Sequence, residues 1–268
     1  MDVESAGTDS RKTVVKAMQI LHAFSSAEPE LTLSVLCERL GMHKSVASRL
    51  VSTLCEWRML ERDPATKRIR LGMGALQLGM QVANRNALHT LALPRLGKLV
   101  DRTRHAAHVA VLDGFEMLVV AAVQSPAALR VILQLGDRRP LHATAAGKVL
   151  LANMAESRAK AIIEQSGLQR MTPATITSVK DLEASLAVIR RTGIAWNHGE
   201  SLTGAGAAAA GVFDATGEIV GAVSAVFPQN VVPATQRAAL ANEVLRTAGE
   251  LSEALGHVAE PLRRKGIR

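Results

Sequence analysis

The chain has 268 residues, 48% hydrophobic and 21% charged, enough apolar content for one large or two smaller folded domains. Its formal net charge is +8, which suits an anionic partner without choosing among nucleic acid, a membrane surface and an acidic ligand. Aromatic residues make up only 2% and tyrosine is absent, which argues against a base-stacking platform of the single-strand-binding kind.

Taken in chain order, residues 1–10, M-D-V-E-S-A-G-T-D-S, are polar and are expected to be disordered; they are no signal peptide. No apolar run reaches the roughly 18 residues of a membrane span, so a cytoplasmic protein without membrane contact is expected. Val14, Met18, Leu21 and Phe24 form a first helical stripe, which Pro29 closes. Thr32 can cap a second helix carrying Leu33, Leu36, Cys37 and Leu40, and Gly41 ends it in the left-handed conformation. The next helix, running to about Trp57, has two faces. Val46, Leu50 and Leu54 recur every four residues, opposite Lys44, Ser45, Ser48, Arg49 and Ser52, with no carboxylate before Glu56. Two short helices joined by a glycine turn make a helix-turn-helix, whose second helix enters a major groove with its N-terminal residues near base edges. Within its outer face, Lys44, Ser45, Ser48 and Arg49 are placed for base edges and Ser52 for phosphate. The turn D-P-A-T (63–66) between short apolar and charged runs reads as a β-hairpin wing bearing Arg62, Lys67, Arg68 and Arg70. Residues 11–72 are therefore read as a winged helix-turn-helix that binds double-stranded DNA; the alternative is a three-helix protein-interaction module. Cys37 and Cys55 lie on apolar helical faces and read as core residues, not a disulfide or zinc pair.

Residues 73–104 read as a helical linker with a break or kink at Pro94, and its apolar stripe suits pairing with a second copy of the chain. From 105 the period becomes that of strands. H-V-A-V-L and M-L-V-V-A-A-V flank D-G (113–114) as a hairpin, and R-V-I-L-Q-L (130–135) reads as another strand. Helices are expected over 143–154, 181–191 and 233–255. A second hairpin runs from Ala205 to Phe213, through D-A-T-G (214–217), to Ile219–Phe227. Without strict βαβ alternation, residues 105–258 read as α+β with an antiparallel sheet. The basic tail, 259–268, holds Arg263, Arg264, Lys265 and Arg268 and reads as a solvated run.

The motif A-A-G-K (145–148) lacks the glycine a phosphate-binding loop needs at His142, and Val149 follows where serine or threonine belongs. His105 and His108 enter a strand and should face opposite sides. His142, His198 and Glu200 leave metal or hydrolytic chemistry open, but no G-x-S-x-G or H-E-x-x-H occurs. No cofactor or metal is expected. Ala145, Ala146 and Gly147 at a helix start leave N–H groups that favour an anion, with Ala205, Gly206 and Ala207 opposite; close backbone packing explains the same residues equally well.

The segments 31–54, 61–72 (E-R-D-P-A-T-K-R-I-R-L-G), 140–152 (P-L-H-A-T-A-A-G-K-V-L-L-A) and 200–224 together resemble the IclR family of bacterial transcriptional regulators, over about residues 12–256. The resemblance implies a winged helix-turn-helix, a helical linker and a GAF- or PAS-like domain that binds a small aromatic or organic-acid effector, in a homodimer or homotetramer. By position, it implies a pocket lined by Val131, Ala145, Ala146, Asn197, Ala205, Ala207, Ser224 and Val226. The chain departs from the family where Asn197, His198, Gly199 and Glu200 replace an acidic run and where Gly211 replaces a proline, which implies a roomier, less acidic pocket. The reading is thus a DNA-binding transcription factor, not an enzyme, controlled by a carboxylic or aromatic metabolite. The alternatives are a metabolite-binding enzyme or an interaction protein with an appended winged-helix module.

Overall fold

The computed structural model describes residues 3–25 and 28–258, with side chains described from residue 11 onward except at Asn84. The expected basic tail lies outside the described residues. The chain divides between Arg85 and Asn86 into two units.

The first unit runs α1 (Val3–His22), β1 (Glu30–Leu31), α2 (Leu33–Leu40), α3 (Lys44–Glu56), β2 (Leu60–Arg62), β3 (Ile69–Leu71) and α4 (Met73–Arg85). Helix α1 starts at Val3, inside the stretch expected to be disordered. Its inward residue is Ile20, with Ala17, Leu21 and Phe24 beside it, whereas Val14 and Met18 are 63% and 49% exposed. Two apolar stripes run along this helix and only one meets the core. The Thr32 hydroxyl accepts from Val35 N–H to start α2, and Gly41, at φ 60°, ends it. Ala47, Leu50 and Val51 of α3 are buried, with Val46 and Leu54 packed half-buried against the same core. Cys37 and Cys55, expected to be core residues, are free and only half-buried at its edge. The wing is a three-stranded antiparallel sheet in the order β1-β3-β2. Gly72, which follows β3, is held there by geometry: a Cβ on it would lie 2.3 Å from the Arg58 carbonyl oxygen.

The second unit begins with α5 (Ala87–Thr103). The helical break falls at Asn86, whose side chain caps α5 by accepting from His89 N–H. Pro94 sits inside a continuous α5, where the Arg95 guanidinium donates to the Leu91 carbonyl at 2.8 Å and to the Glu250 carbonyl at 3.1 Å. The strands β4 (Ala106–Asp113), β5 (Glu116–Val123), β6 (Arg138–Pro140), β7 (Ile194–His198), β8 (Ala205–Phe213) and β9 (Ile219–Pro228) form one antiparallel sheet in the order β6-β5-β4-β9-β8-β7. Both expected hairpins are present, β4–β5 and β8–β9.

The segment 130–135 is not a strand. Val131 and Leu133 do alternate inward, but the free edge of β5 is taken by residues 136–140. Val119 N–H donates to the Asp137 carbonyl, Gly136 N–H donates back to Val119, and β6 pairs with residues 116–118. Helices α6 (Ala145–Asn153), α7 (Glu156–Ser166) and α8 (Val179–Thr192) lie on one face of the sheet, and α5 with α9 (Ala234–Ala254) on the other. Parity along the strands separates the faces. Val223 and Ala225 of β9 face α5 and α9, while Ala222 and Ser224 face the α6 side, Ser224 beside a cavity. No helix among the described residues is long and apolar enough to cross a membrane.

Candidate functional site

Lys44, Ser45, Ser48, Arg49 and Ser52 are all exposed on one side of α3. The N-terminal end of this helix suits an anion. His43 occupies the capping position without a side-chain hydrogen bond to a backbone N–H of the helix, and the first turn contains no acidic residue. A lysine in the first turn opposes the positive end of the helix dipole, so the uncapped N–H groups and the ammonium together present an anion-binding end. Among the three hydroxyls, that of Ser45 is engaged by His43 Nδ1 at 2.9 Å. On the wing, Arg62, Lys67 and Arg68 are exposed at or beside the turn. That turn is organised by Asp63, which accepts from Ala65 and Thr66 N–H at 2.8 and 2.7 Å; these bonds hold its carboxyl below the ordinary value. Arg70 differs from its neighbours. Its guanidinium bonds Glu61 at 3.1 Å and approaches Glu30 at 3.6 Å, so its charge is spent across the three strands.

The second unit holds a cavity of about 530 Å³, counting the space at its open mouth. All eight residues expected in the pocket line it, together with His108, Met117, Arg139 and Thr144. Its floor is the start of α6. Thr144 caps this helix by accepting from Gly147 N–H at 3.0 Å, and the N–H groups of Ala145 and Ala146 have no acceptor within the helix. Gly147 allows the helix to lie against the preceding turn, since a Cβ there would be 2.3 Å from the Leu141 carbonyl oxygen. Residues Ala145 to Ala152 are all buried, which brings a nearly solid apolar helix against the sheet.

Asn197 lines the cavity but its amide is committed to the scaffold. Nδ2 donates to the Ala143 carbonyl at 2.6 Å, and Oδ1 accepts from Gly199 and Glu200 N–H. Lys148 lies on the same helix as the cavity floor and is not available to a phosphate. Its Nζ donates to both Glu200 oxygens at 2.7 and 2.8 Å and to the Trp196 carbonyl at 2.9 Å, with side chains 3% and 8% exposed. Burial pushes the Lys148 ammonium below its ordinary value more than the Glu200 carboxylate holds it up. The pair therefore ties α6 to the loop that carries Ser201 and Leu202 to the cavity rim.

The three residues that left metal or hydrolytic chemistry open do other things. His142 bonds the Gln169 carbonyl, Glu200 pairs with Lys148, and the exposed His198 ring stacks on Trp196 at 6.3 Å. Among the described residues no group of three or more His, Cys, Asp or Glu is placed to hold a metal ion. His198, Glu200 and Gly211 do not line the cavity, so the departures at those positions do not shape it directly. His105 and His108 point to opposite faces: His105 lies 5.2 Å from Phe227 on the α5 and α9 side, His108 lines the cavity. Its partner across the β4–β9 pair is Ser224. Sequence reasoning missed His108, since only the register between two distant strands reveals that it shares a wall with Ser224.

Comparison with known proteins agrees over both units. The family described as IclR helix-turn-helix domain matches residues 13–64, and that described as bacterial transcriptional regulator IclR C-terminal matches residues 80–253. The chain is 31% identical to the HTH-type transcriptional regulator XynR of Escherichia coli (strain K12), over 92% of this chain and 98% of that one. It is 30% identical to the HTH-type transcriptional regulator BhcR of Paracoccus denitrificans (strain Pd 1222), over 83% of this chain and 80% of that one. Among solved structures, Thermotoga maritima IclR is similar with a TM-score of 0.76 at 26% identity, covering 92% of this chain and all of that one. An IclR homolog from Microbacterium hydrocarbonoxydans, complexed with 4-hydroxybenzoate, is similar with a TM-score of 0.79 at 25% identity, covering 91% and 98%.

Proposed function

The chain belongs to the IclR family of transcriptional regulators, and from that premise we propose that it reads a DNA operator with α3 and the wing while a small carboxylic or aromatic metabolite in the α6 cavity sets its DNA affinity. One observation carries the DNA half of this reading. The exposed face of α3 offers two cations and three serine hydroxyls with no carboxylate before Glu56, and so suits phosphates and base edges but not a solvated, mixed-charge surface. Lys44, Ser48 and Arg49 meet the major groove, Ser45 does so once released from His43, and Ser52 meets phosphate. Arg62, Lys67 and Arg68 contact the backbone from the wing, while Arg70 holds the wing's shape.

The cavity supports a carboxylate against the free N–H groups of Ala145 and Ala146, with Arg139 on the lining adding positive charge. Such a ligand changes DNA affinity only through unequal affinity for the two conformations of the protein. The reading places the protein in the cytoplasm as a homodimer or homotetramer, without catalytic activity. Exposed Met73, Leu76 and Met80, which share one face of α4, support a second copy as the cover of that face. Genomic fragments retained by the full-length protein should include its own promoter region, and a gel shift with that fragment should respond to at least one small acid. Retention of no fragment over a scrambled control would leave the DNA half of the reading without support.

A further inference from the structure

The deepest polar atoms of the cavity are unused by the fold. His108 and Ser224 are 3% and 1% exposed, line the cavity and face each other across the β4–β9 pair. Neither ring nitrogen of His108 nor the Ser224 hydroxyl has a hydrogen-bond partner among the described residues. Three orphaned atoms in one place are costly, because each buried polar group without a partner carries its full desolvation penalty. A stretch that served only packing would place alanine or valine there, as its neighbours Ala107, Val109, Val223 and Ala225 do on the opposite face.

We propose that His108 and Ser224 form a polar anchor for a hydroxyl group of the ligand, so that the effector is a hydroxylated carboxylic acid. This rests on the reading of the cavity as an acid-binding site. The chemistry comes from what the two side chains offer together. Burial lowers the His108 imidazole to about 4, so at neutral pH it is uncharged, with one N–H donor and one bare acceptor nitrogen. Ser224 brings a rotatable O–H. A ligand hydroxyl satisfies both, donating to the bare imidazole nitrogen and accepting from the Ser224 hydroxyl. A carboxylate here can accept from the imidazole N–H and the Ser224 hydroxyl but leaves the bare nitrogen unpaired, and an apolar group leaves all three atoms unpaired. The carboxylate belongs instead at the start of α6, where the N–H groups of Ala145 and Ala146 are donors only.

The test compares matched acids by calorimetry on the full-length protein: benzoate with 4-hydroxybenzoate, propanoate with 3-hydroxypropanoate, and hexanoate with 6-hydroxyhexanoate. In wild type, the hydroxylated member of at least one pair should bind at least about ten-fold more tightly than its parent, as expected when an unpaired buried group gains its partner. The advantage should collapse in His108→Leu and shrink in Ser224→Ala, with the parent acid's affinity retained. The melting temperature of ligand-free His108→Leu should hold or rise, because two orphaned atoms are removed. Equal affinities within every pair, an advantage that survives both variants, or a melting temperature several degrees lower in ligand-free His108→Leu would overturn the anchor while leaving the acid site standing. Binding of none of the six acids would instead overturn the acid-site reading beneath it.

Discussion

Replacing Lys148 by methionine removes the cation paired with a carboxylate that water does not reach. Lys148 and Glu200 are 3% and 8% exposed, and Nζ sits 2.7 and 2.8 Å from the two carboxylate oxygens. The variant leaves Glu200 uncompensated, which costs about 3–5 kcal/mol. The Trp196 carbonyl also loses its donor at 2.9 Å, worth about 1 kcal/mol. A total loss of about 4–6 kcal/mol in the second unit is expected. Replacing both partners, Lys148→Met with Glu200→Leu, should recover most of it, because a well-filled apolar pair matches a buried ion pair within about 1–2 kcal/mol. The backbone of residue 200 keeps its own bonds to Asn197, Thr172 and Thr175 in that double variant. Urea denaturation followed by Trp196 fluorescence measures this in a Trp57→Phe background, since the chain has two tryptophans and the other lies in the first unit. A single variant within about 1 kcal/mol of its parent, or a double variant no more stable than the single, would refute the account of a dry, unscreened pair.

Other outcomes are expected along the same lines. Gly147→Ala should destabilise the second unit by at least about 2 kcal/mol despite alanine's better helix propensity, because the new Cβ meets the Leu141 backbone at 2.3 and 2.5 Å; an unchanged urea midpoint would contradict this. The folded-state value of His108 near 4 lies below its unfolded value of about 6.5, so the unfolded chain binds more protons between them. Stability should therefore fall as pH drops through that window, by about 3 kcal/mol that His108→Leu does not lose, and parallel pH profiles for the two proteins would remove His108 as the cause. Arg49→Ala should weaken operator binding by about 1–3 kcal/mol if the guanidinium reads a base edge. Arg70→Ala should change DNA affinity little and mainly loosen the wing, and equal losses in the two variants would place Arg70 on the DNA after all.

Much of this organisation is legible in the residues themselves. Thr32, Gly41 and the D-A-T-G turn are chemical punctuation, and the elements they bound fall where expected. The parts that stay hidden have physical causes. Strand β7 escapes a period-two reading because one of its inward residues is Asn197, a buried polar group. Helix α7 buries only Ala159, Ile162 and Ile163, too narrow a stripe to stand out. Pro94 suggests a break that falls at Asn86 instead, where the side chain starts a new helix by accepting from His89 N–H, while Pro94 lies inside a continuous α5. The segment 130–135 has a strand's alternation but no free edge to join. Of the eight cavity residues, Ala145, Ala146, Ala205 and Ala207 are legible as a small-residue helix start and its opposite wall, a pattern that close packing explains equally well, whereas Val131, Asn197, Ser224 and Val226 come from family resemblance alone. His108 becomes visible only once β4 is aligned against β9.

The central claim is that α3 reads sequence in DNA and that the cavity governs it. Fluorescence anisotropy at fixed, stated salt measures both at once, titrating the full-length protein onto a labelled fragment from its own promoter and onto a scrambled copy, each with and without a cavity-binding acid. The account predicts binding to the promoter fragment at least about a thousand-fold tighter than to the scrambled one, with the acid moving the first affinity and not the second. Equal affinity for the two fragments under both conditions would contradict it.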